Sequence, residues 1–197
     1  LFSPSYSIDK TVFSFGGYSN LSIRLLGKYQ LDNAATVLET VGVLNRNGFR
    51  ISVGAIRSGL ANAKWRARFE LLANEPPVIF DGSHNIQGVT AAAESIKKFF
   101  ITGKKRKKVA LLMGVLADKD YDDMVSVLAP LAEMVFTVTP PSPRALDSYA
   151  LAEFFEGKGV PAEGNKTIYD GVKNAYEYAR TQNIPLVMLG SLYMYGE

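Results

Sequence analysis

Asp81, His84, Arg66 and Arg68 are the residues whose types and spacing could do chemistry. They sit in the stretch AKWRARFELLANEPPVIFDGSHN, residues 63–85. Its short apolar run, Val78-Ile79-Phe80, breaks at Asp81-Gly82-Ser83-His84-Asn85, and a helical pattern follows. A strand feeding a helix through such a turn places the turn at the carboxyl edge of a sheet, where open α/β sheets bind their ligands. A carboxylate at Asp81 can accept hydrogen bonds from ribose hydroxyls or hold a metal; a helix N-cap or turn-former is the plainer role. His84 is the sole histidine, the side-chain type that ordinarily changes charge near neutrality. It can relay a proton, contact an anion, or simply hydrogen-bond within the turn. Asn85 fits a cap as well as a ligand contact. Arg66 and Arg68 flank Ala67 in a strand-like stretch over 66–72, so both point the same way, and guanidinium suits bidentate phosphate binding. Asp118-Lys119-Asp120 precedes a helix; its carboxylates could reach Mg²⁺, or Asp120 could serve the helix start.

The elements that must position these groups fall into two patterns. Thr11–Phe15 and Leu21–Leu25 read as short strands joined by Gly16-Gly17-Tyr18-Ser19-Asn20. Leu31, Ala34, Ala35, Leu38, Val41 and Leu44 recur at helical spacing, with Asn47-Gly48 as the stop. A second helix runs from about Val53 to Leu60 behind Ser52 as N-cap. Two strands and two helices make a thin core, so this front section reads as the tail of a preceding domain. From Trp65 onward strands and helices alternate. Strands are expected at 66–72, 78–80, 109–113, 135–138 and 186–189. Helices are expected over 86–99, 124–131, 151–155 and from Asp170, as cap, to Thr181. Such alternation predicts a mostly parallel sheet with right-handed crossovers. The loops Asp81-Gly82-Ser83, Gly114–Asp118 and Gly190-Ser191 would then lie along one edge.

Composition narrows the chemistry. The 197 residues carry a net charge of +3 and no cysteine, which excludes disulfides, thiolate catalysis and Cys-ligated zinc and fits a reducing compartment. Lys104-Lys105-Arg106-Lys107-Lys108 is a dense basic run without interleaved aromatics, read as a solvated loop and not as a nucleic-acid site. Apolar runs stop short of the roughly 20 residues of a membrane span, and no signal-peptide pattern opens the chain. It lacks an initiator Met and reads as a piece of something longer. No G-x-x-x-x-G-K-[ST] loop, G-x-G-x-x-G or G-x-S-x-G elbow occurs.

Taken together, six stretches in order resemble the folylpolyglutamate synthase/dihydrofolate synthase family of the Mur ligase superfamily. They are Leu26-Gly27-Lys28-Tyr29-Gln30-Leu31-Asp32-Asn33-Ala34, Trp65-Arg66-Ala67-Arg68-Phe69-Glu70, Asp81-Gly82-Ser83-His84-Asn85, Met113-Gly114-Val115-Leu116-Ala117-Asp118-Lys119-Asp120-Tyr121, Pro143-Arg144-Ala145-Leu146 and Gly190-Ser191-Leu192-Tyr193. Tyr29 stands where the family commonly has His, Ser83 for Ala, Ile86 for Pro, and Arg66-Ala67 for Pro-Gly.

The resemblance implies a Rossmann-like α/β C-terminal ligase domain at 63–197, preceded at 1–62 by the end of the central ATPase domain. It implies that ATP phosphorylates a folate or dihydropteroate carboxylate, and that the amino group of L-glutamate attacks the acyl phosphate. By the same resemblance Arg68 contacts nucleotide phosphate and Asp81 the ribose, while Gln30 and Asn33 face the base. His84 lies near glutamate with a catalytic part, and Ser191 is near glutamate. ATP and Mg²⁺ are the cofactors, Mg²⁺ being held mainly by a missing N-terminal P-loop domain. A hinge is implied near Asn62–Trp65. The expected protein is a cytoplasmic monomer, engaging neither nucleic acid nor membrane, and this portion alone is expected to be inactive. A non-catalytic Rossmann-like module binding nucleotide or an amino acid remains open, as does another Mur-type amino-acid ligase.

Overall fold

The structure, a computed structural model, describes residues 2–102 and 108–196, with side chains from residue 4 onward. Lys104–Lys107 of the basic run lie outside the described residues. The chain divides into two compact units, Leu1–Arg66 and Ala67–Glu197.

In the first unit, β1 (Phe2–Tyr6), β2 (Thr11–Phe15) and β3 (Tyr18–Ile23) form an antiparallel sheet in chain order. β1 was not expected from the polar and aromatic start of the chain. β2 and β3 turn tightly at Gly16-Gly17, so the longer link anticipated there is half strand. Period-2 residues Phe13, Leu21 and Ile23 point inward. They meet the buried stripe Leu31, Ala34 and Leu38 of α1 (Gln30–Arg46) and Ile56 and Leu60 of α2 (Val53–Asn62). Ser52 caps α2, its hydroxyl oxygen accepting from Ala55 N–H at 3.1 Å. Asn47 ends α1, and Gly48 follows at φ +95°. Between β3, α1 and α2 opens an apolar cavity of about 480 Å³.

The second unit is a six-stranded sheet. Its strands are β4 (Glu70–Asn74), β5 (Pro77–Asp81), β6 (Val109–Met113), β7 (Ala132–Thr137), β8 (Ala162–Gly164) and β9 (Leu186–Leu189), in the order β4-β5-β9-β6-β7-β8. Only the β4–β5 pair is antiparallel. The last strand therefore lies in the middle, between β5 and β6. Four helices connect the parallel strands: α3 (Ile86–Ile96), α4 (Tyr121–Leu128), α5 (Ser148–Gly157) and α6 (Ile168–Gln182). The path β5-β6-β7-β8 runs one way across the sheet and β8-β9 returns. Right-handed crossovers then put α3, α4 and α5 on one face and α6 on the other. Packing agrees: Ala175 and Ala179 of α6 share a buried cluster with Val78, Phe80, Ala110, Leu112, Phe136, Leu186 and Met188. The alternate strand residues Ile79, Leu111, Val135 and Val187 are equally buried, as expected of parallel strands covered on both sides.

Several sequence expectations are corrected in this unit. Residues 66–69 are not strand, since Ala67 and Phe69 take φ of +56° and +50° and β4 begins only at Glu70. The two arginines therefore do not share one face of a strand. α3 stops at Ile96 and continues as a π-helical turn over Lys97–Ile101. Thr167, not Asp170, caps α6: its hydroxyl oxygen accepts from Asp170 N–H at 3.0 Å, and the Asp170 carboxylate answers from the first turn. β8 is three residues long with no alternation to announce it.

Register decides where the loops emerge. Asp81 and Met113 both pair with Leu189, and Met113 pairs with Thr137, so these strand ends lie in one row. Three glycines follow directly, Gly82, Gly114 and Gly190. A Cβ on Gly190 would collide with the Gly114 carbonyl, and one on Gly82 with the Leu192 side chain. These loops cross the edge backbone against backbone, which only glycine allows. Among the described residues, no helix is long and apolar enough to cross a membrane.

Candidate functional site

The edge after the β5, β6 and β9 ends carries two features: a rigid turn and an open cleft. The turn spans Arg66 to Phe69. Each left-handed alanine or larger residue costs on the order of 1 kcal/mol, so two such residues in three must be imposed from outside. Both are buried, and Phe69, fully inaccessible, packs its ring on Phe99 with centroids 5.9 Å apart. Their backbone groups are held individually. Ala67 N–H donates to Glu70 Oε2 at 2.8 Å, Gly82 N–H donates to the Ala67 carbonyl at 2.8 Å, and Phe69 N–H donates to Asp81 Oδ2 at 2.8 Å. Arg66 and Arg68 alternate with the buried residues, Arg66 exposed and Arg68 half-buried.

Asp81 is thus neither a helix cap nor a solvent-facing group; it is 1% exposed. Its Oδ1 accepts Ser83 N–H at 2.8 Å and the Ser83 hydroxyl, and its Oδ2 serves Phe69. The cap of α3 is Asn85, whose Oδ1 accepts Gly88 N–H at 2.8 Å. That leaves Asn85 occupied as a cap, one of the two roles its position allowed. A buried carboxylate is tolerated here because it accepts three hydrogen bonds from the chain.

The cleft, about 410 Å³, is lined by His84, Leu116, Lys119, Arg144, Ser191, Leu192 and Tyr193. His84 Nδ1 lies 2.9 Å from the Gly82 carbonyl. A carbonyl only accepts, so Nδ1 carries a proton and Nε2 is left to give or take one. Ser191 is 2% exposed, and its oxygen accepts Tyr193 N–H at 3.2 Å at the head of the short helical turn Leu192–Met194. The opposite wall is made by backbone pairing of two loops: Ala117 N–H donates to Arg144 O at 2.7 Å, and Leu146 N–H to Val115 O at 2.9 Å. That pairing delivers Arg144 beside Lys119. Arg144 Nη1 donates to Asp118 Oδ2 at 2.8 Å, with both side chains about half exposed. Asp118 is therefore engaged with a cation. Asp120 stands at the N-cap of α4 without a side-chain capping bond. Among the described residues no cluster of metal-ligating side chains forms.

The fold brings Arg68, Asp81, His84 and Ser191 to one sheet edge, with His84 and Ser191 in the same cleft. Gln30 and Asn33 belong to the first unit. There Asn33 Nδ2 donates to Gln30 Oε1 at 3.0 Å, and both line the 480 Å³ cavity. Sequence reasoning assigned no site role to Lys119, Arg144, Glu70 or Tyr195. The first two lie in loops after strand ends, a usable signal; Glu70 and Tyr195 gave none.

The sequence and fold are similar to those of known proteins. The chain is 29% identical over 188 residues to the folylpolyglutamate synthase of Lacticaseibacillus casei. It is 30% identical over 182 residues to the dihydrofolate synthase/folylpolyglutamate synthase of Bacillus subtilis. Each alignment covers 91% of this chain and 40% of the relative, so the chain spans about two fifths of their length. Among solved structures, Mycobacterium tuberculosis folylpolyglutamate synthase complexed with ADP and AMPPCP superposes with a TM-score of 0.82 at 26% identity, covering 98% of this chain and 45% of that one. The Thermotoga maritima enzyme gives 0.75 at 29% identity, covering 96% and 42%. Residues 67–191 match the Mur ligase glutamate ligase domain, and with that domain filling the second unit almost end to end, the chain belongs to the Mur ligase family.

Proposed function

We propose that this chain is the C-terminal part of an ATP-dependent ligase that joins L-glutamate to a carboxylate of a folate or dihydropteroate through an acyl phosphate. The observation that carries this reading is the cleft. Lys119 and Arg144 offer two cations to the incoming glutamate, which carries two carboxylates, while His84 and Ser191 stand opposite. Charge-assisted bonds from guanidinium and ammonium groups to carboxylates are the strong ones. The substrate amino group must be deprotonated to attack, and His84 Nε2 would take that proton. Arg68 would face the nucleotide phosphates from the rigid turn beside the cleft. Asp81, which fixes that turn, would meet the ribose in the nucleotide-bound state, and Gln30 with Asn33 would meet the base from the first unit. Residues 1–62 serve as the end of the ATPase domain and 63–197 as the ligase domain, with the hinge at Asn62–Trp65. ATP and Mg²⁺ are the cofactors, with Mg²⁺ and the transferred phosphate held by sequence outside these 197 residues. The protein works as a cytoplasmic monomer, and this part alone ligates nothing.

The experiment incubates the full-length protein with ATP, Mg²⁺, glutamate and either dihydropteroate or a reduced folate, and follows product mass. Addition of one glutamate mass, lost in His84→Ala and in Arg68→Ala, is expected. No addition to either acceptor would overturn the reading, and ATP-dependent addition by residues 1–197 alone would overturn the partial-site claim.

A further inference from the structure

Glu70 opens β4, yet its carboxylate does not serve the strand. One oxygen, Oε2, accepts Ala67 N–H at 2.8 Å and the Tyr195 hydroxyl at 2.9 Å. The first bond closes a loop around Arg68. The second reaches across the sheet edge to the segment that follows Ser191. Tyr195 in turn sets its ring edge-on to Phe80, with centroids 5.0 Å apart and planes at 64°, one residue before Asp81. A single carboxylate oxygen thus joins the turn that carries Arg68, the end of β5 and the segment lining the cleft.

The turn needs such a tie. Ala67 and Phe69 are both left-handed, and neither belongs to the types, Gly, Asn or Asp, that adopt this conformation readily. Local preference opposes the turn, so the surroundings must over-determine it. Asp81 holds the amide on the C-terminal side of Arg68 and Glu70 holds the one on the N-terminal side. Without the Glu70 bond, the peptide between Arg66 and Ala67 loses its anchor, the left-handed Ala67 is held only through its carbonyl by Gly82 N–H, and the aim of Arg68 loosens. We propose that Glu70 is a positioning residue: with Tyr195 it fixes Arg68 for a phosphate group and ties that orientation to the Ser191 segment of the cleft. The proposal rests on the nucleotide reading of Arg68.

The test measures calorimetric affinity of the full-length protein for ADP and for adenosine, which lacks the phosphates, in Glu70→Ala, Glu70→Gln, Tyr195→Phe and Arg68→Ala. Glu70→Ala is expected to weaken ADP about tenfold and leave adenosine unchanged, the signature of a lost phosphate contact. Glu70→Gln retains an acceptor oxygen and stays within about twofold; Tyr195→Phe costs about threefold for ADP alone. Placed on Arg68→Ala, Glu70→Ala adds nothing further. Equal losses for ADP and adenosine, or additive losses in the double variant, would overturn the proposal. So would an unchanged ADP affinity in Glu70→Ala where Arg68→Ala weakens it. Unchanged ADP affinity in Arg68→Ala itself overturns the reading of Arg68, and this proposal with it. Should Glu70→Ala fail to fold, Tyr195→Phe decides by the same contrast between the two ligands.

Discussion

The Arg68 turn and the Lys119–Arg144 wall of the cleft lie along the same sheet edge and are built on opposite principles. In the turn, the Ala67 amide and carbonyl and the Phe69 amide are fixed by two carboxylates and a neighbouring strand end, and the backbone itself is held in an unfavourable conformation. In the wall, Arg144 and Asp118 are exposed and Lys119 half-buried, and the Arg144–Asp118 link is a solvent-facing ion pair of the kind that adds little stability. The difference separates two ways of holding an anion. On the proposed function, the group that meets a developing charge would be aimed in advance, whereas the side chains that collect a mobile amino acid would keep their freedom until it arrives.

That contrast can be broken at graded cost. Gly190→Ala should have the largest effect, because its Cβ meets the Gly114 carbonyl and its φ is +108°; a loss of about 3 kcal/mol is expected, read as a fall in thermal midpoint. Asp81→Asn is nearly isosteric but replaces one acceptor oxygen with an NH2, turning a donor toward the Phe69 or the Ser83 amide. It should cost about 2 kcal/mol in urea denaturation. Arg144→Ala or Lys119→Met should leave stability within about 0.5 kcal/mol while raising the KM for glutamate about tenfold, checked by steady-state kinetics on the full-length protein. Asp118→Asn should be the mildest, changing stability by less than about 0.5 kcal/mol. If Arg144→Ala destabilised the fold as much as Asp81→Asn, the division into a fixed and a loose half would fail.

The sequence disclosed the parts of this edge that obey local rules. Buried parallel strands read as apolar runs, so Val109–Met113 and Leu186–Leu189 stood out, and Ser52 announced its helix through a capping position. His84 and Ser191 were legible as polar residues directly after strand ends. The turn at 66–69 was not, because alternating Arg-Ala-Arg-Phe mimics a strand; only the carboxylates of Glu70 and Asp81, one of them 12 positions away from the amide it holds, bend it. Tyr195 was invisible for the same reason at greater range, 125 residues from its partner. Lys119 and Arg144 were visible as motif members, but their meeting depends on a loop-to-loop pairing with no periodic signature. β8 is too short to alternate, and Thr167 yielded its cap to Asp170 in the reading because both residue types suit a helix start.

The central place of β9 has a consequence for synthesis. β5 and β6 do not pair with each other; the strand at 186–189 lies between them and pairs with both. While the ribosome is still making this chain, the sheet exists as two separate ribbons, each with a bare apolar edge that invites association with other nascent chains. Completion of the sheet, arrival of Ser191 and arrival of the Tyr195 tie all fall within residues 186–195, so a product truncated before them lacks its closed sheet and its cleft together. Nascent chains stopped before Pro185 should accordingly be cleaved by protease throughout residues 67–185, and chains released at full length should resist it.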